Sequence, residues 1–327
     1  MRRRRFSQLF GALAALGPVP ALGQSEDKPT IGVLRVGNET NFRPYFKALR
    51  DGLNAYGLID GRTIKIVVRY ADYRRERLPD LAHDLAKQGS RMIVTSGTTV
   101  VSAAQRGAPE LPIVMAGTAD PVAMGFAQSL ARPGGRITGI SMLGEELLGK
   151  PLQLLKEVVP GARTFAAFLQ ASNPANPQLR KGFGNISHAL GVRIDVADIG
   201  DPLEEFPAAF DRAVKQSADG ALVVPDAIFD NHRETIFRLA LERRLPTAVG
   251  QVPWVRAGAL LSYGLDYVDM WRQSARYVSE ILRGADPATL PIEQPSIVRV
   301  AINLRTARVL GLEIVPALLA RADEVIE

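Results

Sequence analysis

The sequence contains no cysteine, and this absence excludes several kinds of chemistry at once. Without thiols the chain has no disulfide bond, no thiolate nucleophile, no cysteine-ligated metal and no cysteine for a lipid anchor. A chain of 327 residues, 46% of them hydrophobic, can instead bury a large core. Its length predicts two domains rather than one.

Histidine and the common catalytic motifs are also scarce. His83, His188 and His232 are the only histidines, they are far apart, and none belongs to an HxH or HExxH pattern. The chain has no GxSxG elbow, and GNETNF replaces GxGxxG after the first strand-like run. We therefore expect no metal, no cofactor and no enzymatic activity.

Positive charge is concentrated at the N-terminus, where residues 2–5 carry four of the six net charges. No basic stripe with interleaved aromatics follows, so we expect no nucleic-acid partner. The arginines precede LFGALAALGPVPALG, an apolar stretch shorter than the roughly 20 residues that span a bilayer. This pattern predicts a signal peptide over residues 1–23 and a periplasmic protein. Twin-arginine export and a mitochondrial presequence are alternative readings of the arginines.

Short apolar runs then alternate with amphipathic segments, which is typical of βαβ units around a parallel sheet. Strands are predicted at 30–36, 63–71, 91–97, 112–117, 136–141, 164–170, 192–199, 221–225, 246–250, 259–264 and 296–303. Helices are predicted near 42–57, 75–88, 98–107, 122–130, 145–159, 176–190, 204–217, 230–244 and 266–284.

The alternation runs through two successive halves, so the predicted fold class is α/β with two doubly wound parallel-sheet lobes. We expect the first lobe to comprise residues 24–141 plus about 255–290. The second lobe would comprise 142–254 plus about 291–327. Several crossings between the lobes would then form a multi-strand hinge around a cleft.

Candidate ligand contacts follow the strands, because open α/β sheets bind ligands beyond the carboxyl ends of their strands. They are mostly neutral hydrogen-bonding residues with two acids and a few aromatics: Asn38, Thr40, Ser96, Gly97, Thr98, Thr99, Asp120, Asn173, Asp226, Phe229, Trp254 and Tyr263. The turn at 96–99 opens a helix whose N-terminus can attract a carboxylate or phosphate, although capping alone also explains it.

The two acids and the aromatics also leave alternatives open. Asp120 and Asp226 are either contacts for a ligand ammonium or ordinary turn formers. Phe229, Trp254 and Tyr263 either stack on a ligand or pack in the core. Trp271 shares a helical stripe with Tyr267 and is expected in the core.

Eight segments together resemble the ABC-transporter substrate-binding proteins related to tryptophan- and tyrosine-binding receptors. They are GLNAYGLIDGRTIKIVVRYAD (52–72), SGTT (96–99), DPV (120–122), RPGGRITG (132–139), LLKEVVPGA (154–162), NPANP (173–177), SYGLD (262–266) and AINLRTARVLGLEIVPALLARADEVIE (301–327). The resemblance implies a type I periplasmic-binding fold with three hinge crossings. By the same resemblance Ser96, Thr98, Thr99, Asp120, Asn173 and Asp226 lie on cleft-lining loops, whereas GNETNF (37–42) departs from the family's usual first loop.

The predicted function is therefore capture of a small polar solute, such as an amino acid or an aromatic acid, by hinge closure. The expected partners are this solute and the membrane permease of an ABC importer, and the protein is expected to be a monomer. Alternatives are a periplasmic sensor for a signalling partner and an α/β enzyme acting on a sugar or nucleotide.

Overall fold

The computed structural model describes residues 28–142, 144–295 and 297–327. The predicted signal peptide lies outside these residues. No helix in the described ranges is both long and apolar enough to cross a membrane.

The first lobe is built on a five-stranded parallel sheet in the order β2-β1-β3-β4-β5. Its strands are β1 (Thr30–Arg35), β2 (Lys65–Tyr70), β3 (Ser90–Thr95), β4 (Ile113–Ala116) and β5 (Ile137–Ile140). Its first helices are α1 (Glu39–Ala55), α2 (Leu78–Lys87) and α3 (Thr98–Gly107), with a short 3-10 turn at Arg75–Arg77.

The second lobe is built on a seven-stranded sheet in the order β12-β11-β10-β9-β8-β6-β7. Its strands are β6 (Thr164–Gln170), β7 (Arg193–Ile199), β8 (Gly220–Val223), β9 (Thr247–Val249), β10 (Leu261–Leu265), β11 (Val298–Asn303) and β12 (Glu324–Ile326). Only the pair β10–β11 is antiparallel.

The remaining helices follow in chain order, and all but α10 pack in or against the second lobe. They are α4 (Gly144–Val158), α5 (Asn176–Leu190), α6 (Pro202–Lys215), α7 (Ala227–Asn231), α8 (Arg233–Glu242), α9 (Val252–Arg256), α10 (Tyr267–Leu282), α11 (Leu304–Leu310) and α12 (Pro316–Leu319).

Each sheet is covered on both faces, because successive side chains of a strand point to opposite sides. In β1, Ile31 and Val33 face α1 and α10, whereas Leu34 faces α2 and α3. In β6, Phe165 packs towards α4 and α5, whereas Phe168 packs towards α6. The continuous apolar runs in the sequence reflect this double burial, and the prediction of two doubly wound α/β lobes is confirmed.

Close packing of α1 on α10 completes the first lobe and depends on one glycine. A Cβ atom added to Gly52 would lie 2.3 Å from the backbone oxygen of Arg272 and 2.9 Å from the Cβ atom of Ala275. Glycine thus allows the two helices to approach closely enough for Phe42 and Trp271 to meet, with ring centroids 4.8 Å apart.

The path of the chain near the hinge differs from the expected lobe boundaries. Residues 255–290 were expected to return to the first lobe, but β10 joins the second sheet between β9 and β11. Leu261 and Tyr263 of β10 pack in the core of the second lobe, whereas Leu265 at the end of the strand packs in the core of the first. The return begins at Asp266, which caps α10, and residues 290–293 run beside β5, where Thr138 Oγ1 donates to the backbone oxygen of Leu290 and Glu293 bridges to Ile140.

The predicted helix at 122–130 is wrong, because turns occupy this segment. Asp120 Oδ1 accepts hydrogen bonds from the N–H groups of Val122 and Ala123, and Gly125 takes a positive φ of 70°. The predicted helix at 230–244 is divided into α7 and α8 at His232. Helices α9, α11 and α12 and strand β12 were not predicted.

Candidate functional site

A cavity of about 180 Å³ lies between the lobes, at the carboxyl ends of strands from both sheets. Segments that follow β1, β2, β3 and β4 form one wall, and segments that follow β6, β8 and β9 form the other. Helix α10 closes the hinge side with Tyr267 and Trp271. Sites of this kind, where several strand ends converge, are where open α/β sheets bind small molecules.

Arg35 is the last residue of β1, and its guanidinium lies in the first-lobe wall. Nη1 donates to Ser96 Oγ at 2.5 Å. The guanidinium carbon lies 4.7 Å from the ring centre of Phe42 and 5.0 Å from that of Trp271. Such contacts with ring faces stabilise a cation without neutralising it. Burial lowers the pKa of Arg35 from its ordinary value.

Tyrosines extend the aromatic wall around this cation. Burial raises the pKa of Tyr45 to about 12, with a smaller contribution from the negative charge of Asp230. Burial also raises the pKa of Tyr267, whose hydroxyl donates to Met142 Sδ at 3.3 Å. Asn41 Nδ2 donates to the hydroxyl of Tyr73 at 2.6 Å. The phenols are therefore neutral at ordinary pH and line the cavity as hydrogen-bonding groups.

The start of helix α3 lines the cavity. Its N-cap is Gly97, which has φ +86° and ψ 137° and supplies no side-chain oxygen. Thr98 Oγ1 lies 3.2 Å from Thr118 Oγ1 and accepts from the N–H of Ala119 at 3.4 Å. Thr98 therefore braces the neighbouring strand end, while the helix start can receive the anionic group of a ligand.

The second-lobe wall contains two carboxylates, and an arginine pairs with each. Asp226 Oδ1 lies 2.6 Å from Arg75 Nη2 and also caps α7 by accepting from the N–H of Ile228. Asp230 Oδ1 lies 3.2 Å from Arg233 Nη1 and accepts from Trp254 Nε1 at 2.6 Å. Both acids therefore have cationic partners within the protein.

Arg75 belongs to the first lobe, so its pair with Asp226 crosses the cleft. Its Nη1 also donates to Gln170 Oε1 at 2.7 Å and to Ser172 Oγ at 2.6 Å. The Arg75 side chain is 15% exposed and that of Asp226 is 8% exposed. These contacts hold the two lobes together over the cavity.

Seven of the twelve sequence-predicted ligand contacts line this cavity. They are Asn38, Ser96, Gly97, Thr98, Thr99, Asn173 and Asp226. Two of them also shape the backbone, since Asn38 caps α1 and Asn173 Oδ1 accepts from the N–H of Ala175. Their contact with a ligand stays a prediction.

The other five predicted contacts lie outside the cavity. Thr40 is exposed at the start of α1, because the helix turns its side chain away from the cleft. Asp120 is exposed and its carboxylate closes the turn at 120–123. For Asp120, the turn-forming alternative therefore agrees with the structure.

The three aromatic candidates pack in the second lobe. Phe229 is fully buried against Phe206, with ring centroids 5.0 Å apart. Trp254 is also fully buried, and it affects the cavity only through its hydrogen bond to Asp230. Tyr263 is partly buried against the core beneath α4. For all three, packing is the alternative that agrees with the structure.

Several cavity residues were not among the sequence-predicted contacts. Arg35 carried a usable signal, because it is a lone charge at the carboxyl end of the apolar run TIGVLRV. Trp271 belongs to the core as expected, and one edge of it also lines the cavity. Arg75 and Asp230 carried no local signal, since both lie in charged helical segments. Only the meeting of the lobes brings them to the site.

The cavity wall contains no histidine and no cysteine in the described part of the chain. Its two carboxylates are each engaged by an arginine. No group of three or more potential metal ligands occurs among the residues that the structure describes.

Two α/β lobes around a cavity are the architecture of two-lobe ligand-binding proteins. The family model described as ABC transporter substrate binding protein matches residues 31–326. The chain belongs to this family, whose members are substrate-binding proteins that deliver small-molecule solutes to permeases.

Individual relatives have low sequence identity to this chain, but each can be matched to it over most of its length. A tyrosine-binding protein of Clostridioides difficile is 23% identical over 290 residues, covering 88% of this chain and 83% of the relative. A Streptococcus pneumoniae ABC domain solved with L-Trp has a TM-score of 0.83 at 22% identity, covering 91% of this chain and all of the other. A conserved Vibrio cholerae domain protein has a TM-score of 0.85 at 22% identity, covering 91% and 99%. The fold is that of the type I periplasmic binding proteins.

Proposed function

We propose that this protein captures a small polar solute, an amino acid or an aromatic acid, in the cavity between its lobes. The lobes close around the solute, and the closed form delivers it to the permease of an ABC importer. The protein acts in the periplasm as a monomer, with no nucleic-acid partner and no catalytic step. The observation that carries the proposal is a cavity whose walls come from both lobes.

Closure of the lobes is expected because the cavity has one wall in each lobe. A solute that contacts both walls binds the closed form more tightly than the open form, and this difference in affinity shifts the equilibrium. The crossings that serve as the hinge are the segment after β5, the link from β10 to α10, and the segment that leads into β11. Contacts across the cleft, such as Arg75 with Asp226, form only when the lobes meet.

The class of solute is supported from two directions. The cavity offers an anion-accepting helix start and an arginine beside aromatic rings. Relatives of the chain include one named for tyrosine and one solved with L-Trp. Both lines favour a carboxylate attached to an apolar or aromatic body.

A thermal-shift screen of refolded protein tests the proposal against amino acids, aromatic acids, nucleobases and sugars. Refolding removes any solute retained through purification. A solute at 100 times its Kd should stabilise the folded state by about 2.7 kcal/mol. Solute binding should also reduce the radius of gyration in small-angle X-ray scattering, because the lobes close.

A matched pair of variants locates the site. Thr99 and Thr40 both occupy the second position of a helix that follows a strand, but only Thr99 lines the cavity. Thr99→Trp should fill part of the cavity and abolish the shift, whereas Thr40→Trp should leave it unchanged. Equal binding by both variants, or no selective hit from a folded protein, would contradict the proposal.

A further inference from the structure

Arg35 is a partly buried cation that forms no ion pair within the described residues, although the negative charge of Asp230 acts on it from beyond ion-pair distance. None of the ion pairs formed by those residues includes it, and its hydrogen bond goes to the neutral hydroxyl of Ser96. Its Nε atom is buried and has no hydrogen-bond partner in the described ranges. An unpaired buried charge is costly, so the site gains most from a ligand that supplies an anion.

The other charges of the cavity wall are already balanced. Asp226 pairs with Arg75, and Asp230 pairs with Arg233 and receives the indole N–H of Trp254. The four charged residues of the described wall, Arg35, Arg75, Asp226 and Asp230, sum to zero. Because Asp230 is paired with Arg233 from outside the wall, Arg35 is the wall cation that has no ion pair. An incoming ammonium would have to displace an arginine from Asp226 or compete with two donors at Asp230. An anionic group of a ligand would therefore meet a cation that has no ion pair, whereas a cationic group would meet only carboxylates that are already paired.

The start of helix α3 lies next to Arg35 and provides a second reason to expect an anion at this position. Ser96, which holds Arg35, is followed directly by Gly97 and the start of α3, where no side chain caps the helix. A carboxylate placed there can accept from the guanidinium with one oxygen and from backbone N–H groups with the other. Hydrogen bonds between charged partners of this kind are roughly twice as strong as neutral ones.

We propose that the preferred solute is a small organic carboxylate that lacks an α-ammonium group, with its carboxylate on Arg35 and the start of α3. This inference rests on the proposed function, since it takes the solute to occupy the cavity between the lobes. It narrows the solute from amino acids or aromatic acids to the acids. It also makes Arg35 the residue that determines specificity.

Matched ligands that differ only in the ammonium group test the proposal by isothermal titration calorimetry. Suitable pairs are 3-phenylpropionate with L-phenylalanine, 3-(4-hydroxyphenyl)propionate with L-tyrosine, indole-3-propionate with L-tryptophan, and 4-methylpentanoate with L-leucine. In every pair that binds, the deaminated acid should bind at least about tenfold more tightly. Tighter binding of the amino acids would overturn this inference and leave the proposed function intact. Selective binding of sugars or nucleobases instead would overturn both.

Arg35→Gln provides an independent test. The variant should lower affinity for the acid by at least about 100-fold and bring the ratio between acid and amino acid close to one. Its melting temperature should stay close to that of the wild type, because the lost ring contacts and the lost hydrogen bond to Ser96 are offset by removal of a charge that has no ion pair. A purely structural role would predict a large fall in melting temperature and an unchanged ligand preference.

Arg69→Gln is the matched control. Arg69 lies on the adjacent strand, pairs with Asp84 at 2.6 Å and does not line the cavity. Its loss should leave affinity and ligand preference unchanged. An Arg35→Gln protein that binds the acid as well as the Arg69→Gln protein would overturn the proposal. If Arg35→Gln fails to fold, the ligand pairs on the wild-type protein decide the question.

Discussion

Replacing Arg75 with alanine should separate the closing of the lobes from the chemistry of the cavity. Arg75 is the first-lobe residue that reaches Gln170, Ser172 and Asp226 on the opposite wall. Arg75→Ala removes all three contacts and leaves Asp226 its hydrogen bond from the N–H of Ile228. The second-lobe wall therefore keeps its local structure, and the change acts mainly on the closed arrangement.

The size of the effect follows from the number and burial of these contacts. A hydrogen bond to a charged group contributes about 1.5–3 kcal/mol net. Arg75 makes three such bonds, but they share one guanidinium and therefore do not add in full. We take about 2 kcal/mol as the loss of closed-state stability, which is about 30-fold in the closed-to-open ratio. The apparent Kd of the solute should rise by up to this factor, because only the closed fraction binds fully.

Small-angle X-ray scattering and calorimetry on the same samples check this prediction. Without solute, Arg75→Ala should have a larger radius of gyration than the wild type, and saturating solute should restore it. Arg77→Ala is the control, because Arg77 lies on the same turn but pairs with Asp72 within its own lobe at 3.3 Å. A radius and an affinity for Arg75→Ala equal to those of the Arg77→Ala control would refute the reasoning.

Two further predictions concern the packing of α1 on α10 and the titration of the buried Tyr277. Gly52→Ala should lower the free energy of unfolding in urea by about 1–3 kcal/mol, because its Cβ meets Arg272 at 2.3 Å. Gly184→Ala, where a Cβ meets nothing within 4 Å in an exposed part of α5, should raise it by about 0.5–1 kcal/mol; the opposite order would contradict the packing argument. Burial raises the pKa of Tyr277 to about 12, from about 10 in an unfolded chain. Because the folded state favours the neutral phenol, its contribution to stability is full below pH 10 and is lost as the pH rises towards 12. Urea titrations across this window should show a shallower decline for Tyr277→Phe, and an unchanged slope would count against burial as the cause.

The fold was predictable because its two sheets are buried on both faces. Apolar runs such as TFAAFLQ at 164–170 coincide with β6 from end to end. Periodicity failed where local turn chemistry prevailed, as at 122–130, where Asp120 binds the backbone that a helix would use. It also failed for β10, since a strand's sequence does not reveal which of two similar sheets will pair with it.

The sequence predicted where the candidate site lies, but not which charged residues of the site form ion pairs. The position of Ser96–Thr99 after a buried strand was sufficient to place this turn at the cavity. The ion pairs that decide the charge of the cavity join residues distant in sequence, such as Arg75 with Asp226. Their pairing depends on how the lobes meet, and no local pattern encodes that geometry. Arg35 is the exception, because its own strand marks it as unusual.

Helix α10 belongs to the first lobe but comes late in the sequence, so the first lobe can be completed only after most of the chain has been synthesised. It lies between β10 and β11, which pair with each other in the second lobe, yet it supplies Trp271 and Tyr277 to the core of the first. During synthesis, the lobe that emerges first must therefore wait with one face of its sheet only partly covered, by α1, until residue 282 has been made. The lobe that begins first is completed only after most of the second has been translated. A cut at the apparent boundary near residue 142 would yield two incomplete halves.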